Sequence, residues 1–547
     1  MAKLHHELLD DFRPLSSEGL FNATLKGRGL YSTFQFVLRL SPAVHRKLGS
    51  MPNGIQSSGK PDLEGLEAFS TYLHETVHWW QHIGSTYGLM MSMTYPAQSH
   101  ANYDHLKNLI SKVGFQKSIR NIAETMPNGG YGTPSGLANI VINNHFDMDS
   151  YRGLTVNPLS VEQILKSPLF ENFGHSYHIA HGNIISILSS VSDTHFRIIP
   201  HPKAWKDPFR ELRETKKEGY FYGSPVTLYP IGALEIFEGQ ARMAQLQYLH
   251  FATGGHLGME AAEKGNMFDG VYGKAFSVFL ELAEVERPPS IDHPTIALFL
   301  LICDIAINPG SGFPFPLIHF ESFIHDANPG ARFVSLSRMA RLKCPEVFDK
   351  IREYSRQEYE EVSQKLCNVL IEESPLKIAQ EFSRWSYEKE FQILMSEHET
   401  YNFSKGNFVA RVLFSHFLSF MRDKEKTPEI FCWPGAWMAG DRATNKAAIL
   451  FDRHGALFID KEDDDGVFPR LSVERQGQDV QETFQDFYAN NAIFDLTRQW
   501  ILEPGPFKYN YRWLSQKGSD EELQNFAEGC FESIYGVKPS TVKILNS

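Results

Sequence analysis

Between Thr71 and Gly84 the chain reads TYLHETVHWWQHIG, with Glu75 as its one acidic or basic residue apart from histidines at 74, 78 and 82. A repeat of four puts the three imidazoles along one side of a helix. The other sides carry Tyr72, Leu73, Val77, Trp79, Trp80 and Ile83. A helix apolar all round is stable only when other elements enclose it. The fold must therefore bury this segment and also give partners to its imidazoles and carboxylate, since unpartnered polar groups are costly in a core.

A chain of 547 residues can build such a core, and its length suggests two to four domains. The formal net charge of −12 argues against nucleic acid and anionic membranes as partners. The most basic stretch, KAWKDPFRELRETKKEG (203–219), interleaves acids with its bases and reads as a solvated helix face. The opening MAKLHHELLDDFRPL lacks the apolar core of a signal peptide. The apolar run IALFLLICDIAI (296–307) contains Asp304 and is too short for a bilayer, so a buried helix is expected. The five cysteines have no C-x-x-C spacing, and the expectation is a reduced protein of the cytoplasm.

Alternation over 28–40 (RGLYSTFQFVLRL) predicts a strand or hairpin arm. Residues 41–62 read mostly as loop, and Asp62 is a candidate N-cap for a helix reaching Gly84. The glycine-rich MPNGGYGTPSG (126–136) lacks the Gly-Lys-Ser/Thr ending of a phosphate loop. Helical patterns dominate afterwards, notably over 231–252 and from about 345 to 422. Two short strands are expected within 447–463, turning at His454-Gly455. A boundary near 345 divides the chain into 1–345 and 346–547.

His74-Glu75-Thr76-Val77-His78 is an H-E-x-x-H motif. On a helix its two imidazoles reach one zinc ion, and Glu75 can take a proton from water activated by the metal. Two other His-Glu pairs, HELLD (6–10) and HETYN (398–402), fail at the fifth position. His82 lies two turns from His74, too far along a straight helix to share that ion. The alternative is a core helix whose histidines are merely hydrogen-bonded.

TYLHETVHWW resembles the active-site helix of the zincin metallopeptidases. Metzincins continue with a glycine and a third histidine, which this chain lacks. In the gluzincin branch the third ligand is a glutamate on a later helix, and Glu238-Gly239-Gln240-Ala241 is similar to that pattern. The resemblance implies Glu238 as the third ligand, with small residues at 239 and 241 letting its helix pack against the first. Glu235 is then expected beside His74 or His78, and Arg242 beside Glu238. Glu238 lies 160 residues after His78, a longer interval than is usual in that branch. Candidates for stabilising an oxyanion are Tyr222, Tyr229, His175 and His178, the last two in HSYHIAHGN (175–183), which also admits a second metal site.

These readings converge on an α+β, mostly helical protein: a zincin-like catalytic domain over 1–345 with N-terminal strands and a long insertion, then a helical region with a β-hairpin that selects substrate or binds a regulator. The expected activity is zinc-dependent hydrolysis of a peptide or protein substrate, with His74, His78 and Glu238 on Zn2+ and Glu75 as general base. The strand at 33–40 is the expected edge for an extended substrate. The alternatives are a zincin-derived binding or scaffold protein with a structural metal or none, and a hydrolase of non-peptide amides.

Overall fold

The computed structural model describes residues 29–49, 63–127, 129–157, 161–225, 227–472, 475 and 477–545. The candidate Asp62 cap and residues 50–62 of the expected loop lie outside them. The architecture is mostly helical with a small mixed sheet.

The motif helix, α1 (Leu63–Ile83), ends at Gly84, and Ser85 caps the next helix, α2 (Thr86–Val113), accepting from the Gly88 amide. The helix of 296–307 forms as expected: α5 (Pro294–Ala306) buries every residue from Thr295 to Ala306. Its Asp304 is tolerated because Lys424 Nζ lies 2.6 Å away and the Tyr359 hydroxyl donates to it at 2.7 Å. Buried charge persists only with such compensation. Before it come α3 (Ala233–Ala252), packed on α1, and α4 (Val271–Ala283), packed on α3. Burial of each large aliphatic or aromatic side chain here contributes roughly 1.5–3 kcal/mol.

Four strands form one sheet in the order β1 (Gly29–Ser32), β2 (Val37–Leu40), β3 (Phe458–Lys461), β4 (Asp464–Pro469). β1 and β2 are antiparallel, β2 and β3 parallel, and β3 and β4 antiparallel. The sheet thus joins residues 29–40 to residues 458–469. The main apolar core likewise draws on residues from Tyr31 to Tyr488, continuing across residue 345. A second core packs Leu106 and Ile119 with Leu496, Trp500 and Phe531.

Three expectations change. Residues 445–453 are a helix and not a strand, because Ala447, Leu450 and Phe451 recur at helical spacing and are buried while Thr444 caps the start. The hairpin follows it, turning at Glu462-Asp463 and not at His454-Gly455. Within the loop expected over 41–62, Pro42–Gly49 is helical, with proline in the first turn, where its missing N–H costs nothing. The strand expected across 33–40 is a turn at 33–36 followed by β2, which lies inside the sheet; β1 is the outer strand.

No helix among the described residues is long and apolar enough to cross a membrane. All five cysteines are unpaired.

Candidate metal centre

α1 brings His74 and His78 to the same face one turn apart, and α3 supplies Glu238 opposite them. His74 Nε2 and His78 Nε2 lie 3.1 Å apart. Glu238 Oε2 is 3.4 Å from His78 Nε2 and 3.6 Å from His74 Nε2. Ligands bound tetrahedrally to zinc at ordinary bond lengths sit about 3.3–3.4 Å from one another. The triangle of donor atoms thus has the size that a single ion requires. The group is buried, with His74 at 2%, His78 at 4% and Glu238 at 2% exposure. Among the described residues it is the one group of three or more His, Cys, Asp or Glu donors close enough to hold a metal ion.

Packing brings these helices together in a way the sequence only half suggests. A Cβ on Gly239 would stand 3.1 Å from Ala275 Cβ and 3.4 Å from Phe299, so this glycine admits α4 and α5 rather than α1. α1 and α3 are tied instead by Gln81, whose amide Nε2 donates to the Phe237 carbonyl and to Gln240 Oε1, both at 2.9 Å. Gln81 Oε1 accepts from His78 Nδ1 at 2.8 Å when that nitrogen carries the proton. The other ring nitrogen, Nε2, then presents its lone pair to the triangle. Gln81 is a positioning residue that motif reading passed over. Gln81→Leu should weaken metal binding by about 10–100-fold. Competition with a chromophoric chelator measures this; unchanged affinity would remove Gln81 from the site.

Glu75 is fully buried beside the triangle, close enough to feel His78 and Glu238. β1 crosses over it: a Cβ on Gly29 would come within 2.7 Å of Glu75 Cγ, so only glycine fits there without displacement. Burial pushes the Glu75 carboxyl up to about 8, against the pull of His78. Burial also pulls His74 down to about 4. For His78 burial, the largest single influence, acts downward as well, but the Glu238 carboxylate together with Glu75 and Gln81 outweighs it and raises the pKa. Burial would raise Glu238, and the two histidines reverse this and lower it.

No known family model, curated protein or solved structure matches this chain.

The remaining candidates are placed elsewhere. Glu235 is not beside the imidazoles: its Oε2 accepts from the Gly232 amide at 2.8 Å and caps α3. Arg242 does not pair with Glu238; its Nη1 donates to Gln245 Oε1 at 2.6 Å, and its guanidinium lies 4.1 Å from the centre of the Tyr272 ring. Tyr222 is 79% exposed, and the Tyr229 hydroxyl meets His325 Nδ1. His175 Nε2 pairs with Asp147 at 3.2 Å, and His178 stacks on Phe209 with ring centres 4.7 Å apart. His181 packs against the Tyr151 and Phe323 rings, so the histidines of 175–181 do not form a second metal group. His82 packs against Tyr31 and Phe237 and is no part of the triangle.

One residue was missed outright. Tyr272, on the first turn of α4, has its ring centre 6.0 Å from that of His74 and lies near both Glu238 and Glu75. Burial keeps its hydroxyl well above the usual tyrosine range, so it stays a proton donor. No motif marks it; it reaches the site only because α4 packs over Gly239.

Proposed function

We propose that this protein is a zinc-dependent peptide hydrolase of the zincin type. The observation that carries the proposal is the donor triangle of His74, His78 and Glu238, sized for a tetrahedral ion, with the carboxylate of Glu75 beside it and outside it. Three protein donors leave a fourth position open, as catalytic zinc sites do and closed structural sites do not. A bound zinc ion would supply acidification of a water molecule and polarisation of the scissile carbonyl.

The chain's own groups divide the remaining work. Glu75 accepts the proton of the attacking water and passes it to the leaving amine. Tyr272 donates a hydrogen bond to the carbonyl oxygen as negative charge builds on it. β1 has no strand on its outer side among the described residues, and it runs directly over Glu75. Five unpaired cysteines accord with a reducing compartment such as the cytoplasm.

A second reading, a scaffold with a structural metal, draws on the near-complete burial of all three ligands. The two separate in one experiment. Metal analysis of the purified protein should find one zinc per chain. The zinc-loaded protein should cleave members of an unbiased peptide library and stop when a chelator removes the metal. Stoichiometric zinc with no cleavage selects the structural reading, and absence of zinc binding removes both.

A further inference from the structure

The ligands and Glu75 are closed off, but two groups that act on them, Arg242 and Tyr272, are partly exposed. They are the partly exposed residues among those that act on the triangle. Arg242 is a held cation that makes no ion pair with a carboxylate among the described residues, although it draws on Glu75 from a distance. Its Nη1 is committed to Gln245, which is itself anchored to Ser70 Oγ at 3.0 Å. Its plane lies against Tyr272, and its Nε is buried without a hydrogen-bond partner. Arg332 and Arg411, by contrast, are matched with acids, Glu372 and Glu397.

Charge points the same way. With a divalent ion on the triangle and Glu75 ionised as the base, the positive charge of the ion and Arg242 exceeds the negative charge of Glu238 and Glu75 by one. A guanidinium whose orientation is fixed by neutral neighbours is a preorganised donor to a carboxylate.

Resting on the metallohydrolase reading above, we propose that Arg242 docks a carboxylate of the substrate, so that the enzyme acts on peptides carrying an anionic group close to the scissile bond. Gln245, Ser70 and Tyr272 hold the guanidinium ready for it. The group is either a free C-terminal carboxylate or an acidic side chain.

Two small hydroxamates test this: succinic acid monohydroxamate, which carries a carboxylate, and the counterpart in which that carboxylate is an amide. Both chelate zinc through the same head. The wild-type zinc protein should bind the carboxylate probe at least about tenfold more tightly, the usual scale for hydrogen bonds to charged groups. Arg242→Met should abolish the preference while keeping zinc and affinity for the amide probe, and Arg242→Lys should restore part of it. Equal binding of both probes by the wild-type protein, or a preference that survives Arg242→Met, overturns the proposal while leaving the metal reading intact. Failure of the metal reading has a different signature, with no zinc retained and neither probe bound. Peptides with free or amidated C termini, with and without internal Asp or Glu, identify the source of the carboxylate. Faster cleavage of free termini assigns the terminal group, faster cleavage of acidic sequences assigns the side chain, and indifference to both overturns the proposal.

Discussion

Glu238→Ala should empty the metal site, while Glu235→Ala should leave it full. The two carboxylates are one helical turn apart on α3, but the fold uses them differently. Glu238 Oε2 stands 3.4 and 3.6 Å from the two imidazole nitrogens. Removing it takes away one of three protein donors, and the loss should exceed the roughly 10–100-fold that removal of an outer hydrogen-bond partner costs. Glu235 instead closes the N-terminus of α3 through the Gly232 amide, so its loss should cost about 1 kcal/mol of stability and no metal affinity. Zinc content after dialysis against a weak chelator, read beside a thermal melt, separates the two. An empty Glu235 variant would mean that the wrong carboxylate has been assigned; zinc retained in both would move the third ligand off this helix. Glu238→Gln, which keeps volume, guards against a simple packing failure.

The parts of this site legible in the sequence are those fixed by local spacing. His74 and His78 share a face because a helix has 3.6 residues per turn, and the uncharged residues around them announce burial. Glu238 could be picked out because Gly239 and Ala241 mark a helix that others approach closely. The reason was only partly right, since Gly239 faces Ala275 and Phe299. What stayed hidden depends on where a distant helix lands. Tyr272 follows Glu238 after a stretch with no periodic link to it, and Gln81 looks like an interruption of the histidine repeat until Gln240 is seen across from it. The strands of the sheet were expected, but their pairing was hidden for the same reason. β2 pairs with β3, more than 400 residues later, so alternation alone could not tell an inner strand from an edge. At 447–453 a short apolar run fitted both periods, and only the burial of Ala447, Leu450 and Phe451 decides for helix.

The carboxylate that separates a hydrolase from a structural metal site is Glu75, and Glu75→Gln should abolish cleavage while leaving the metal in place. Glu75 is not one of the donors of the triangle, so its replacement should not change zinc content. Its side chain is fully enclosed, with Gly29 pressed against it, and glutamine of the same shape preserves that packing. What glutamine cannot do is accept a proton from the attacking water. General-base catalysis contributes about 10²–10⁴-fold to rate, and the variant should lose at least that much in kcat with little change in KM. The measurement is cleavage of the best library peptide by wild-type and variant proteins loaded with equal zinc, with matched melting curves as the control for folding. Retained zinc and lost turnover assign Glu75 as the base. Undiminished turnover in the variant would sink that role, and with it the feature that most sharply distinguishes this centre from a buried structural ion.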